Sequence, residues 1–242
     1  MKKYILENFK TLIYALLIAI VIRSLFFQPF YIPSSSMEPN LLVGDRLFVS
    51  KYSYGYSRHS FPFSPKLTNK RFLITQPNRG EVIVFKTPAD NRTDYIKRII
   101  GLPGDTLQII DGSLYLNEIE VKTKKISYIN KINCGGLTYD VNAFEEFMPN
   151  GNKYIVTYRK ESSMLNTDKY LVPKDHYFFM GDNRDCSKDS RFLTSVGYVH
   201  LRNLVGKAQI IFFSNDKKLG NFFQFWKWKK ILRIERFFKK II

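Results

Sequence analysis

The chain has 242 residues, of which 45% are hydrophobic and 16% are aromatic, and this composition excludes a wholly disordered protein. Lysine and arginine number 38 against 21 aspartate and glutamate residues, so the net charge of +17 favours an acidic partner such as anionic lipid or nucleic acid. Cys134 and Cys186 have neither CxxC nor Cys/His spacing. We therefore expect no metal and no cofactor, and a disulfide between the two cysteines stays open.

The first predicted element is a transmembrane helix over residues 12–30, LIYALLIAIVIRSLFFQPF. At a rise of about 1.5 Å per residue this run spans about 28 Å, close to the thickness of the hydrocarbon core. A cleavable signal peptide is the main alternative, but Ala-x-Ala-like residues do not follow the run. A buried amphipathic helix is the other, because Arg23 interrupts the apolar stretch. The sequence leaves open whether Arg23 extends to an interface or shortens the span.

The charges that flank this helix predict its orientation. Lys2, Lys3 and Lys10 precede it, whereas no lysine or arginine follows it until Arg46. Positive residues are retained on the cytoplasmic side, so residues 1–11 are expected in the cytoplasm and the rest of the chain outside it. Whether that outer side is a periplasm or an open surface is not decided by sequence.

Residues 32–214 have the pattern of a β domain. Short β-branched or aromatic runs are separated by turn signals, of which Asp111-Gly112 predicts a hairpin and Leu102 to Asp105 a tight turn. Neither βαβ alternation nor an internal repeat is visible, which disfavours a parallel α/β fold. The clearest predicted strands are Arg46 to Val49, Glu81 to Phe85, Thr106 to Ile110 and Ser113 to Leu116.

Two further segments differ in composition from this domain. Residues 122–169 are more polar and less patterned, which predicts a variable insertion or second lobe. In the tail, residues 215–242, the stretch from Asn221 carries seven lysines and arginines against one glutamate, interleaved with aromatic residues. We expect a helical tail on an anionic membrane surface, and the alternative is a helix packed on its own domain.

Three segments carry candidate chemistry. The first is a serine cluster between two prolines, Pro33 to Pro39, which taken alone is typical of a solvated turn. The second is Tyr95 to Gly101, where alternation points Lys97 and Ile99 to one face of a strand; an edge-strand charge is the ordinary interpretation of such a lysine. The third, Gly181 to Arg191, has the density of paired charges that a buried network or a solvated loop would show.

In this order, after an apolar N-terminal span, these segments resemble the type I signal peptidases, which are serine proteases with a Ser/Lys dyad. The resemblance runs from RSLFFQPFYIPSSSMEPNLLVGD through RGEVIVF and YIKRIIGLPGD to VPKDHYFFMGDNRDCSKDSR. It implies a mainly antiparallel β catalytic domain with one N-terminal transmembrane helix. It also implies a membrane-bound endopeptidase that removes signal peptides from exported preproteins after Ala-x-Ala-type residues.

The resemblance implies a role for each matching residue. Ser36 would attack the scissile carbonyl and Lys97 would accept its proton. Ser34 and the Ser36 backbone N–H would bind the oxyanion, and Ser187 would orient the lysine. The charged scaffold behind them would be formed by Asp182, Arg184, Asp189 and Arg191, with Arg98 paired to one of the aspartates.

A lysine is a base only when it is neutral, so the pKa of Lys97 has to fall from ~10.4 to near 8, and burial can lower it by that amount. The chain departs from the family pattern at Cys186, where asparagine is common, and at Glu38, which puts a carboxylate near the mouth of the site. We expect both positions to affect tuning more than mechanism.

Other functions fit less of the sequence. A histidine-based triad would use His59, His176 or His200 but lacks a GxSxG elbow, and the SxxK match at Ser214 lacks SDN and KTG partners. A self-cleaving repressor would need a DNA-binding segment in place of the span. A basic membrane adaptor leaves the YIKR and GDNRD segments unexplained. We therefore expect signal peptides and anionic lipid as partners, no nucleic acid, and a monomer.

Overall fold

The computed structural model describes residues 2–65, 68, 70–161, 164–216, 219–220 and 224–242. It begins with helix α1, Lys2–Leu25, which projects from a β domain and has mostly exposed apolar side chains. The part over Glu7–Leu25 is long and apolar enough to cross a membrane.

The predicted end of the membrane helix, at Phe30, is wrong. Helix α1 ends at Leu25, and Phe27–Tyr31 forms strand β1, which pairs antiparallel with Asp45–Ser50, strand β2. Pro29 lies in β1 opposite Phe48, and a proline would break a helix interior because it lacks the N–H that the helix needs. Helix α1 therefore starts earlier and ends earlier than the predicted span of residues 12–30.

All strand pairings in the described part of the chain are antiparallel. The largest sheet has the order β1-β2-β15-β3-β4-β13-β14, with β16 added to β15, and the smaller sheets have the orders β11-β10-β8, with β9 on β10, and β12-β5-β6-β7. The remaining strands are β3 Val82–Lys86, β4 Asp94–Gly101, β5 Thr106–Ile110, β6 Ser113–Leu116, β7 Ile119–Glu120, β8 Lys122–Ile126, β9 Lys131–Cys134, β10 Leu137–Phe147, β11 Lys153–Arg159, β12 Tyr170–Leu171, β13 His176–Met180, β14 Val199–His200, β15 Leu204–Ser214 and β16 Lys239–Lys240.

This architecture confirms the predicted mainly antiparallel β fold. Strands β5 and β6 have the predicted bounds, and β2 and β3 differ from theirs by a residue at each end. The hairpin turn at Asp111-Gly112 has positive φ at both residues, 48° and 79°, as a two-residue turn of the type I′ kind requires. The turn before β5 closes with a bond from Asp105 N to Leu102 O, and Gly104 has positive φ there.

The polar region 122–169 contributes a separate sheet, β8 to β11, with apolar side chains on one side. Val156 of β11 packs with Leu107, Phe178 and Met180 in a common core, so this sheet is not a loose insertion. Its residues Ser162 and Ser163 lie outside the described part of the chain. Strand β11 also contacts the Gly181 segment, because Thr157 N donates to Asp182 O at 2.9 Å.

In the described residues of the tail, helix occurs only as short turns. Helix α2, Trp228–Ile231, is flanked by single 3-10 turns at Phe225–Lys227 and Ile234–Arg236, and the chain then adds β16 to the main sheet. The predicted surface helix begins at Asn221. Residues 221–223 lie outside the described part of the chain. From Ile231 onward the tail packs on its own domain, because Ile231 and Arg236 are buried.

Candidate active site

Ser36 and Lys97 meet in the interior of the β domain. Lys97 Nζ lies 2.6 Å from Ser36 Oγ and 3.0 Å from the carbonyl oxygen of Ile96. Both side chains are buried, with exposed fractions of 7% for Ser36 and 4% for Lys97. A hydroxyl in direct hydrogen-bond contact with a buried amine is the arrangement in which the amine can take the hydroxyl proton.

Strand β4 places Lys97 inside the main sheet, because β4 lies between β3 and β13. Lys97 lies opposite Ile83 of β3, while Arg98 lies opposite Val82 on one side and Met180 of β13 on the other. Alternation sends these two cations to opposite faces of the strand, and both are nevertheless buried. The lysine is thus at the centre of a sheet, which rules out the edge-strand interpretation.

The surroundings of Lys97 favour its neutral form. Burial lowers the pKa of its amine from 10.5 to about 8, although the negative charges of Asp189 and Asp182 act in the opposite direction and Arg191 lowers it slightly further. Removing an ammonium ion from water is the larger effect because no carboxylate forms an ion pair with Lys97 among the described residues. A substantial fraction of Lys97 is therefore neutral near pH 8.

The segment that begins at Gly181 holds the serine loop, Pro33 to Pro39, in position. Asn183 N donates to Ser36 O at 3.2 Å, and Asn183 Nδ2 donates to Ser35 O at 3.1 Å. A Cβ at Gly181 would lie only 2.5 Å from Ser36 O and 2.3 Å from Ser187 Oγ. Only glycine allows the two segments to approach this closely, which gives a physical reason for the first residue of GDNRD.

Ser34 and Ser187 flank the pair on either side. Ser34 Oγ lies 3.4 Å from Ser36 Oγ, and the Ser34 residue is exposed, so its hydroxyl is accessible to a substrate. Ser187 is buried, and its hydroxyl lies close enough to the Asp189 carboxylate to help lower the pKa of that carboxyl. A Cβ at Gly181 would meet both the Ser187 hydroxyl and the Ser36 carbonyl oxygen, so Ser187 also lies beside the Ser36 segment.

Three buried ion pairs lie close to Ser36 and Lys97. Arg98 binds Asp182 through two bonds of 2.7 Å, Arg184 binds Glu146, and Arg191 binds Asp189. Each charge has an opposite charge in contact, which is the condition under which buried ions are tolerated. Arg98 also lies over the ring of Tyr154, with its guanidinium carbon 3.9 Å from the ring centroid. The network is thus electrically balanced, and the predicted scaffold residues all belong to it.

The tail closes the far side of this network. Arg236 donates to both oxygens of Asp45, at 3.0 and 2.5 Å, and to the carbonyl oxygen of Asn40 at 2.9 Å. Asn40 in turn donates to Asp182 Oδ2 at 2.7 Å. Arg98 donates to Ile242 O at 2.7 Å. A continuous set of hydrogen bonds therefore connects the end of the tail to the ion pair beside Lys97.

Cys134 and Cys186 form a disulfide, with their Cα atoms 5.7 Å apart. It joins β9 to the 3-10 turn Arg184–Cys186. The disulfide therefore connects the β8–β11 sheet to the segment that holds the serine loop. Ser35 Oγ lies 3.8 Å from Cys186 Sγ. The cysteine at the position where asparagine is common therefore has a structural partner.

The described residues form neither a histidine-based triad nor a metal site. His59 bonds to Ser64, His176 to the Lys174 carbonyl, and His200 to the backbone of the turn after it, and none of these contacts involves the serine cluster. Ser214 donates to Asp45 in a buried contact, and the lysine three residues after it lies outside the described part of the chain. No cluster of metal-binding side chains is found among the residues that the structure describes.

Sequence reasoning missed several residues of the site. Glu146, which pairs with Arg184, lies in the region where function was not legible, and Asn40 and Asp45 were not considered. Asn183 belongs to the GDNRD segment, but the sequence pattern assigns it no role of its own. A usable signal was available for Glu146 alone, because a buried arginine requires a carboxylate and Glu146 lies in a strand with alternating apolar residues.

Comparisons with known proteins agree on one family. A family model described as signal peptidase, peptidase S26, matches residues 5–213. Signal peptidase I of Rickettsia typhi is 38% identical over 259 aligned positions, covering 99% of this chain and 95% of that protein, and signal peptidase I of Rickettsia prowazekii is 37% identical with the same coverage. A crystal structure of signal peptidase I from Enterococcus faecalis is 25% identical, covering 55% of this chain and 97% of its own, with a TM-score of 0.33.

Proposed function

The chain belongs to the signal peptidase I family of serine peptidases, and on this premise we propose that it removes signal peptides from exported preproteins with a Ser36/Lys97 dyad at the outer face of the cytoplasmic membrane. The observation that carries the dyad is the 2.6 Å contact between Lys97 Nζ and Ser36 Oγ in a buried site. The apolar helix α1 and the family both indicate a membrane-anchored protein.

In the proposed mechanism neutral Lys97 accepts the proton of Ser36 as Ser36 Oγ attacks the scissile carbonyl carbon. The carbonyl oxygen becomes an oxyanion, which the Ser36 backbone N–H and the Ser34 hydroxyl stabilise. The C–N bond then breaks, and the Lys97 ammonium gives its proton to the leaving amine. Water attacks the resulting ester with Lys97 again as base, which releases the signal peptide and regenerates Ser36.

The scaffold supports this mechanism by what it does to Lys97. Asp182 is paired with Arg98 and Asp189 with Arg191, so both carboxylates still raise the pKa of Lys97 but neither forms a salt bridge with it. We propose that the Ser187 hydroxyl, which lies beside Asp189, turns to the Lys97 amine when the substrate excludes water. A neutral hydroxyl orients the amine without adding a charge that would raise its pKa.

Specificity and partners are also part of the proposal. Substrates are signal peptides with small residues at the Ala-x-Ala positions, and Lys2, Lys3 and Lys10 keep residues 1–11 on the cytoplasmic side. The exposed part of the tail, with Phe225, Trp226 and the lysines around them, contacts anionic lipid. Nucleic acid is not a partner in this proposal.

The decisive experiment compares the three consecutive serines. Detergent-solubilised full chain is incubated with a preprotein, and the new N-terminus of the product is mapped by mass spectrometry. Ser36→Ala and Lys97→Ala are each expected to abolish cleavage, and the double variant to be scarcely worse, because the two residues act as one unit. Ser35→Ala is the matched control, because Ser35 is equally buried but its hydroxyl lies at the disulfide.

Cleavage should occur after a small residue, and replacing the alanine before the cut with a bulky residue should stop it. Full activity of Lys97→Ala would overturn the dyad. Loss of activity in Ser35→Ala with retention in Ser36→Ala would identify a different nucleophile.

A further inference from the structure

A large cavity lies where α1 meets the β domain, away from the dyad. Its volume is about 660 Å³, and its lining does not include Ser36 or Lys97. It is bounded by Arg23 of α1, by Gln28 and Phe30 of β1, by the loop 58–65 and by the turn 86–94. A cavity of this size accommodates a small-molecule group.

The acidic residues that line this cavity are already occupied. Asp94 forms an ion pair of 2.9 Å with Lys86. Asp90 accepts bonds within its own turn, from Thr87 Oγ1 at 2.5 Å and from the N–H of Arg92 at 2.8 Å, and these bonds hold the pKa of its carboxyl well below the usual range. Neither carboxylate turns to the remaining cations of the lining.

Three arginines of the lining are therefore left with unbalanced charge. Arg23, Arg58 and Arg92 form no salt bridge with any residue in the described part of the chain, and the side chain of Arg58 donates only to a ring nitrogen of His59. Three guanidinium groups facing one cavity repel each other, and a phosphate group is the anion that their planar donors fit best.

A buried lysine lies next to the cavity. Lys51 donates to the carbonyl oxygen of His59 at 3.1 Å. Burial is the main cause that lowers the pKa of its amine to about 7; Asp94 acts against this, and the cations Arg23, Lys86 and Arg71 add to it by smaller amounts. The contribution of Arg23 shows that its charge is close to this part of the domain.

Helix α1 relates the cavity to the proposed membrane anchor. Arg23 is two residues before the end of α1 at Leu25, and with the apolar part of α1 spanning the hydrocarbon core as proposed, Arg23 would lie at the depth of lipid headgroups. Phe61 and Phe63 also line the cavity with side chains 42% and 104% exposed. Exposed aromatic rings beside basic side chains are typical of surfaces that enter the membrane interface.

We propose that this cavity binds the phosphate headgroup of an anionic phospholipid. Arg23, Arg58 and Arg92 face the phosphate, and Phe61 and Phe63 contact the upper part of the acyl chains. The lipid neutralises charges that the fold leaves unpaired and fixes the β domain against the membrane beside α1. The inference uses no catalytic residue, so it stands or falls independently of the Ser36/Lys97 dyad.

The test measures binding of a defined lipid to the detergent-solubilised full chain by native mass spectrometry. Dioleoyl phosphatidylglycerol is expected to remain as one bound molecule, and dioleoyl phosphatidylcholine to bind at least about tenfold more weakly. Arg58→Gln/Arg92→Gln should weaken phosphatidylglycerol binding by at least about tenfold, because each arginine near an anionic headgroup contributes substantially. Lys124→Gln/Lys125→Gln, which removes the same charge from the exposed strand β8 away from the cavity, should retain the bound lipid.

Arg92→Gln alone guards against misfolding, because its side chain is exposed and only its backbone bonds within the turn. It should weaken binding by about threefold or more. Both arginine variants should cleave a peptide substrate in detergent at the wild-type rate. Unchanged affinity in Arg58→Gln/Arg92→Gln, equal binding of the two lipids, or full displacement of the lipid by an equal concentration of inorganic phosphate would each overturn the proposal.

Discussion

Two buried lysines, Lys97 and Lys51, have lowered pKa values but differ in the groups that they contact. The pKa of Lys97 is lowered to about 8 and that of Lys51 to about 7, in both cases chiefly by burial. Lys97 has Ser36 Oγ at 2.6 Å, whereas Lys51 has only the carbonyl oxygen of His59 at 3.1 Å. A lowered pKa therefore marks a site where an amine can be neutral, but a nucleophile in contact with that amine is what makes it a base.

The charges around the two lysines also differ. Near Lys97 the three arginines of the network are paired with carboxylates, so the fields of these ions largely cancel. Near Lys51 the cations Arg23 and Arg71 act on it with Asp94 as the main opposing charge. A chain with a net charge of +17 thus keeps the charges around Lys97 balanced and leaves arginines without salt bridges, among the described residues, beside helix α1.

The largest expected effect comes from replacing each lysine with methionine. Lys97→Met should abolish cleavage, whereas Lys51→Met should retain it, because Lys51 contacts no nucleophile. In the wild type the cleavage rate should rise with pH through about 8, where Lys97 loses its proton, and level off above it. Initial rates between pH 6 and 10 measure both effects, and an active Lys97→Met protein would show that the comparison is wrong.

The same variants have a defined effect on stability. Because the folded state lowers the pKa of Lys97, the unfolded chain binds the proton first as pH falls from 10.5 to about 8, and the free energy of unfolding falls over that range. The lowering corresponds to about 3 kcal/mol. Lys97→Met should therefore unfold at higher denaturant than the wild type at pH 7, and this difference should vanish above pH 10.5.

The next effect tests the balance of the network by breaking one ion pair at a time. Arg98→Met leaves Asp182 buried without its partner, which should reduce the free energy of unfolding by about 3–5 kcal/mol. Since the charge of Asp182 raises the pKa of Lys97, losing Arg98 should also move the pH profile of cleavage to higher pH. Urea unfolding and initial rates measure the two consequences.

Arg184→Met is the matched control for that variant. It leaves Glu146 equally buried and unpaired, so the loss of stability should be similar. Glu146 is not among the groups that shift the pKa of Lys97, and the pH profile should therefore stay in place. Equal shifts in both variants would mean that general loosening of the site, and not the charge of Asp182, controls Lys97.

The smallest effect concerns the exposed serine beside the dyad. Ser34→Ala removes one proposed oxyanion donor and should lower kcat by about 10²–10³ while some activity remains. The pH profile should not move, because the Ser34 hydroxyl is not in contact with Lys97. A wild-type kcat in Ser34→Ala would assign the oxyanion to the backbone N–H alone.

The sequence was sufficient for what depends on local pattern and on ordered motifs. Alternation predicted β5 and β6 within their bounds, and the positive-φ requirement of Asp111-Gly112 predicted the hairpin. The three motif segments predicted the residues that meet around Ser36. The prediction that the helix ends at Phe30 was wrong, because hydropathy does not distinguish an apolar strand such as β1 from an apolar helix.

The sequence by itself therefore determined the β architecture and the apolar N-terminal helix from local pattern, and it indicated the Ser36/Lys97 pair through the resemblance of its motifs to the signal peptidases. Only the tertiary structure decided that Arg98 pairs with Asp182, that Arg184 pairs with Glu146, and that Cys134 bonds to Cys186. A partner across many residues is selected by distance in space, and the energy of a buried charge depends on that distance and on the water excluded around it.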